Sequence, residues 1–199
     1  MTSTLYFYLR QLASFWHLFV LLTHLRPART LAERALVFAF WRHLLVGQFY
    51  GWRPYFYHLH LVAGFADQFL PASFTEEQRQ LILAAAYLHD SIEDARLTYN
   101  DIRARFGVEV ADIVYALTNN KGRSRKERAN AAYYQGIVAI PYATYVKLCD
   151  RVANAYFSLR HGTTQADMYR REQAGFLASL RPLPVEYEPI AEYLAQLLS

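Results

Sequence analysis

Apolar residues recur at intervals of three and four along almost all of the 199-residue chain, and no segment alternates apolar with polar positions as a half-buried strand would. The pattern predicts an all-α protein. Helices are expected over 4–24, 30–45, 56–70, 76–90, 98–106, 108–118, 124–136, 141–160, 166–179 and 186–198. Local signals agree with this register. Thr75 precedes "EEQ" and Thr98 stands three residues before Asp101, so each threonine can satisfy an orphan amide of a first turn. Pro141 opens the segment that carries "YVKLCDRVANAYF", and Gly107 supplies the backbone freedom a helix end needs. "RPLPVEYEP" (181–189) reads as a turn before a terminal helix. No repeat, low-complexity tract or long linker divides the chain.

Composition narrows the class. With 54% hydrophobic and 19% charged residues, the chain can bury a core and is not disordered. The single cysteine, Cys149, excludes an internal disulfide and a C-x-x-C zinc pattern, so a reducing, cytoplasmic setting is expected. A net charge of +4 suits an anionic partner without naming one. The stretch "LYFYLRQLASFWHLFVLLTHL" (5–25) is interrupted by Arg10, Gln11, His17 and His24, so it lacks the run of about 20 apolar residues that spans a bilayer. It also lacks the basic side chains that precede a secretory signal. We read it as a core or interface helix, with a membrane-surface role as the alternative.

The chemistry gathers in "LHDSIED" (88–94), where one imidazole and three carboxylates follow the uncharged "LILAAAY". His89 with Glu93, and Asp90 with Asp94, stand four apart and would share helix faces. Charged groups at the end of a buried segment must be paired, exposed or metal-bound. Two other polar residues stand in apolar surroundings: His58 in "PYFYHLHLVA" and Asp150 in "YVKLCDRVANAYF". Together with His89 and Asp90 they supply two imidazoles and two carboxylates, a mixed set suited to Mn, Fe, Zn or Mg. Singly, His58 reads equally as a buried core histidine, and Asp150 as a partner of Lys147 or Arg151.

These segments carry a resemblance to the HD-domain metal phosphohydrolases, and within them to the RelA/SpoT-type hydrolase domains and small alarmone hydrolases. That branch has the pattern HxxGQ, PYxxH, HDxxED, FG, VxxLT and KLxDRxxN. The chain reads "HLLVGQ" at 43–48, "PYFYH" at 54–58, "HDSIED" at 89–94, "FG" at 106–107, "VYALT" at 114–118 and "KLCDRVAN" at 147–154. The resemblance implies an HD-type helical bundle with a metal site between core helices. It implies that His58, His89, Asp90 and Asp150 hold one divalent cation, most often manganese in this branch, and that Glu93 and Asp94 manage the attacking water and its protons. It implies removal of the 3′-pyrophosphate of guanosine tetraphosphate or pentaphosphate. On this basis 1–30 is an N-terminal aromatic helix and a candidate homo-oligomer interface. Residues 31–180 are the hydrolase body, and 181–199 a turn and helix packed on it.

Substrate contacts are assigned to Arg53, Lys147 and Asn154, and to Lys121, Arg125 and Arg128 of the basic stretch "NNKGRSRKER" (119–128). Asn154 has a second reading, as an asparagine that only steadies its helix, and the basic stretch has one as a solvated loop. His60 is expected to support the site or the core rather than to bind metal. The chain departs from the family in the loop "FYGWRPY", whose one cation is Arg53, and at Tyr156 and Phe157, where arginine and threonine are usual. Phe49, Tyr50 or Trp52 could stack on a base. "MYRREQAGF" (168–176) is similar to segments of phage and prophage HD proteins. No recognised nucleic-acid reading motif accompanies the cations, so no nucleic-acid partner is expected. Alternatives to the 3′-pyrophosphohydrolase are an HD-type 5′-nucleotidase or deoxynucleoside triphosphohydrolase, and a non-catalytic nucleotide- or protein-binding module.

Overall fold

The computed structural model describes residues 28–119 and 124–199, and these form a helical bundle with one minimal hairpin. Helix α1 (Leu31–Leu45) leads through strands β1 (Phe49–Tyr50) and β2 (Arg53–Pro54) into α2 (Phe56–Gln68). Then come α3 (Glu76–Leu88), the single turn α4 (Ser91–Asp94), α5 (Tyr99–Phe106) and α6 (Val108–Leu117). Beyond the short α7 (Arg125–Arg128) lie α8 (Ala131–Ala139), α9 (Ala143–Arg160), α10 (Gln165–Ser179) and α11 (Glu188–Leu198). The expected helix over 4–24 falls outside the described residues.

Capping explains most boundaries. Thr75 accepts from the Gln78 amide while Gln78 returns a bond to the Thr75 amide, and Thr98 with Asp101 makes the same reciprocal box. A third box, Thr30 with Glu33, starts α1. Gly107 sits at φ 93°, ψ 168°, a region closed to residues with a Cβ, and ends α5 while starting α6.

Three expectations need correction. The helix expected over 124–136 is broken in two, because the Asn130 side chain accepts from the Tyr133 amide and caps a new helix there. α9 starts at Ala143 rather than at Pro141, after Tyr142 adopts a left-handed φ of 65°. The loop "FYGWRPY" is a two-residue antiparallel pairing, Phe49 opposite Pro54 and Tyr50 opposite Arg53, too short to show as alternation. Gly51 turns it at φ 62°, and a Cβ there would also meet the Phe157 ring at 3.3 Å.

α3 is the wall between two apolar clusters. Its Ile82, Ala85 and Ala86 face the larger cluster with α2, α9 and α11, while Ala84 and Leu88 face the cluster with α1, α5 and α6. Three consecutive buried alanines leave no bulk to hold neighbours apart, so helices approach from both sides. A larger side chain there would cost about 1–3 kcal/mol in overpacking. α9 packs against α2, where the fully buried Tyr145 donates its hydroxyl to the Ala66 carbonyl at 2.9 Å. That bond sets α9 against α2 five residues before Asp150.

Candidate metal centre and cleft

His58 lies in the first turn of α2, His89 caps the end of α3, and Asp150 lies midway along α9. The rigid contacts of these helices bring the side chains together. His58 Nε2 is 3.3 Å from His89 Nε2 and 3.3 Å from Asp150 Oδ1. Asp90 Oδ2 is 2.9 Å from His89 Nε2 and 3.5 Å from His58 Nε2, and His89 Nε2 is 3.8 Å from Asp150 Oδ1. One ligand atom each from His58, His89 and Asp150 falls within a mutual 4.8 Å. Adjacent residues of an unbroken helix point about 100° apart. His89 and Asp90 meet because the chain leaves α3 at Asp90, at φ −96° and ψ 3°, before turning into α4. The same break separates His89 from Glu93, whereas Asp90 keeps its helical spacing to Asp94, whose amide donates to the Asp90 carbonyl at 2.8 Å, and both line the cleft.

The donor set fits a divalent cation. His89 Nδ1 donates to the Ala86 carbonyl at 2.9 Å, which leaves the lone pair on Nε2, pointing at the cluster. Bonds of about 2.1 Å place neighbouring ligand atoms about 3.0 Å apart in octahedral geometry and about 3.4 Å apart in tetrahedral geometry. The separations here, 2.9 to 3.8 Å, span those values. Charge agrees. Burial alone would lower the His58 pKa, but its bonds to Asp150 and Asp90 outweigh burial and raise it to about 9. Burial would likewise raise the Asp150 carboxyl, yet Lys147 and the two histidines hold it far below the usual carboxylate range. A pocket that draws protons to imidazoles this strongly also draws a cation.

Each group around the cluster is itself held. Tyr55 donates its hydroxyl to Asp90 Oδ2 at 2.6 Å and stacks on His43 at 4.9 Å, and His43 Nδ1 meets Gln48 Oε1 at 3.1 Å. The quoted segments "HLLVGQ" and "PYFYH" are thus one support behind Asp90. On the other side, Asn154 Nδ2 donates to Asp150 Oδ1 at 2.6 Å, and Tyr50 donates to Asn154 Oδ1 at 2.8 Å while its ring stacks on His58 at 4.7 Å. Tyr50 therefore faces inward, whereas Phe49 and Trp52 are exposed.

The cluster forms the floor of a cleft of about 840 Å³. Glu93 and Asp94 line it, as do Lys147, Asn154 and Arg128. Lys147 is committed to Asp150 Oδ2 at 3.0 Å. Asn154 borders the cleft and donates to both the Asp150 carbonyl, at 3.0 Å, and the Asp150 carboxylate. The guanidinium of Arg53 is stacked on Trp52 and Tyr57, each at 4.3 Å, and the residue is not part of the cleft lining. Lys121 lies outside the described residues, as does the side chain of Arg125. His60 stacks against Phe56 and Tyr87, and burial lowers its pKa to about 4. Among the described residues it is not grouped with the candidate ligands.

Sequence reasoning missed three features. Tyr55 lay inside a quoted motif but had been given no role. The outer wall of the cleft is α10, through Tyr169, Arg171, Glu172 and Phe176, with buried Arg151 bridging to Glu172 at 3.1 Å. Asn119 binds both oxygens of Glu93, with its backbone amide at 2.5 Å and its side-chain amide at 3.1 Å. No local signal marks a partner 26 residues away.

No family model matches the chain. It is 34% identical over 74 residues to the human guanosine-3′,5′-bis(diphosphate) 3′-pyrophosphohydrolase MESH1, a stretch that covers 37% of this chain and 41% of the human protein. The corresponding enzyme of Aquifex aeolicus (strain VF5) is 34% identical over 76 residues, 36% of this chain and 11% of its own. The chain thus matches about two fifths or less of these relatives' own length. A solved structure, described as that of a metazoan ortholog of SpoT that hydrolyzes ppGpp and plays a role in starvation responses, superposes with a TM-score of 0.66 at 23% identity. It covers 86% of this chain and 97% of that one. The fold is shared. The expected all-α, HD-type bundle therefore stands. Among the described residues, no helix is long and apolar enough to cross a membrane.

Proposed function

We propose that the protein is a metal-dependent pyrophosphohydrolase that removes the 3′-pyrophosphate of guanosine tetraphosphate or pentaphosphate. The observation that carries this reading is the convergence of His58, His89 and Asp150, with Asp90 2.9 Å from His89, at the floor of a cleft whose wall presents Glu93 and Asp94. The relatives described above, which are named for this reaction, support the choice of substrate. His58, His89 and Asp150, with Asp90 beside them, would hold the ion, which in this reading is manganese. A divalent cation there makes water more acidic and screens charge on phosphate. Glu93 receives the proton lost by the attacking water as the new P–O bond forms. The bond from phosphorus to the 3′ oxygen breaks, and Glu93 with Asp94 returns a proton to that oxygen, giving GDP or GTP and pyrophosphate. Asn154 fixes Asp150 and borders the nucleotide. Arg128 meets its distal phosphates, while Lys121 and the side chain of Arg125, expected to join it, lie outside the described residues. Lys147 keeps the charge of Asp150 compensated.

In this reading 31–180 is the hydrolase body and 181–199 packs on it, and the oligomer interface expected for 1–30 falls almost wholly outside the described residues. The buried, free thiol of Cys149 suits a reducing cytoplasm. The test is turnover after reconstitution with manganese against guanosine tetraphosphate, its adenosine counterpart, deoxynucleoside triphosphates and monophosphates, with products separated by chromatography. Pyrophosphate with GDP is the expected result. Cleavage confined to the 5′-phosphates would overturn the reading in favour of a nucleotidase or triphosphohydrolase.

A further inference from the structure

Glu93 stands on α4, a single turn too short to hold a side chain by its own packing, yet both of its oxygens are fixed from outside. The backbone amide of Asn119 meets Oε1 and its side-chain amide meets Oε2. Two donors from one residue leave the carboxylate no free rotation, and each oxygen keeps a lone pair for another partner. The donors come from the end of α6, whose Thr118 is tied to Val114 through both its amide and its hydroxyl. The grip therefore rests on a regular helix anchored in the core by Ile113, Val114 and Leu117. Asn119 is also the first residue of the basic stretch 119–128, and Asn119 and Arg128 both line the cleft.

We propose that Asn119 is a positioning residue, which aims the Glu93 carboxylate into the cleft. The proposal rests on the role given to Glu93 above. An amide is the right group at 119, because it donates to the charged carboxylate and carries no charge that would compete with the phosphates nearby. An aspartate would set two carboxylates face to face. Both Asn119 bonds lower the Glu93 pKa against the surrounding protein, which raises it.

The test compares Asn119→Ala, Asn119→Ser and Asn119→Asp with the intact protein. Asn119→Ala keeps the backbone donor and loses the other. We expect kcat to fall about tenfold or more with KM within about twofold, a difference near 1.4 kcal/mol. The acid limb of kcat/KM should move to higher pH, metal content should be unchanged, and Asn119→Ser should recover part of the loss. Asn119→Asp should be the most impaired. An unchanged kcat and pH profile overturns the proposal, and so does a loss that follows metal content. A second readout is independent of substrate: titration of the ¹³C-labelled Glu93 carboxyl in protein loaded with zinc, which is diamagnetic. A higher midpoint in Asn119→Ala supports the clamp, and an unmoved midpoint overturns it. If the intact protein turns over no nucleotide in the panel, the functional reading fails and the midpoint still decides the clamp.

Discussion

At the floor of the cleft His58 and His89 are buried and their partners come from α2, α3 and α9, whereas at the rim Arg128 and Arg171 stand exposed on α7 and α10. The floor is specified several times over. Asp150 alone receives Lys147 and Asn154 and faces both histidines. The rim is specified by charge and little else, since exposed cations gain only modest energy from fixed geometry. The contrast shows which part of such a site can vary. Altering the floor disturbs several bonds at once, while the rim can exchange one cation for another without touching the ion-binding groups.

The largest effect that could sharpen the contrast comes from Asp150→Ala. It removes one candidate ligand and strands the ammonium of Lys147. Metal should be lost, with turnover down by at least about a thousandfold, and stability should drop by about 3–5 kcal/mol because one partner of an enclosed pair is gone. Elemental analysis, turnover and thermal unfolding measure the three, and full metal content in this variant would break the contrast. His89→Ala should lose metal and activity together.

Glu93→Gln should come next. Metal content should remain normal while kcat falls by about a hundredfold to ten-thousandfold, the range of a lost general base. The intact protein adds a pH test. Partial enclosure raises the Glu93 pKa above its ordinary 4.5, despite the two bonds from Asn119 that lower it. A base is inactive when protonated, so activity should fall on acidification at a pH above the ordinary glutamate value, and Glu93→Gln should lack that limb. Retained turnover in Glu93→Gln would end its proposed role.

Tyr55→Phe should be intermediate, because it deletes the hydroxyl bonded to Asp90 and little volume. Metal affinity should weaken by about ten- to a hundredfold, as for other groups that orient a ligand, measured by competition with a chelator. The smallest effect belongs to the rim. Arg171→Ala and Arg128→Ala should raise KM a few-fold with kcat preserved, and the difference should shrink at high salt. A large loss of kcat in either rim variant would show that the division between floor and rim is wrong.

Much of this architecture was legible in the order of residues, for reasons that act locally. Helical periodicity placed α1, α2, α5, α6 and α10 within about two residues of their observed bounds, because burying one face demands that spacing. Thr75, Thr98 and Gly107 marked boundaries because capping and positive φ are decided within a few residues. α3 and α4 show where local reading stopped. The helix expected over 76–90 ends within two residues of its observed end, but the pairing of His89 with Glu93 four apart assumed continued helical geometry, whereas the chain breaks at Asp90, and it is the break that joins His89 to Asp90. The split at Asn130 went unread because the competing continuation of α7 has equal periodicity and only the cap at Tyr133 chooses between them.

The residues by themselves determined an all-α chain, the groups able to bind a cation and the segments that carry them, since propensity, capping and donor chemistry are properties of short stretches. Only the tertiary structure decided which of those groups meet. It turned Tyr50 inward onto His58, laid Arg53 between Trp52 and Tyr57 and delivered Asn119 to Glu93. The meeting of His58, His89 and Asp150 depends on how closely α2, α3 and α9 pack, and the buried alanines of α3 and the Tyr145 bond between α9 and α2 help to set that distance.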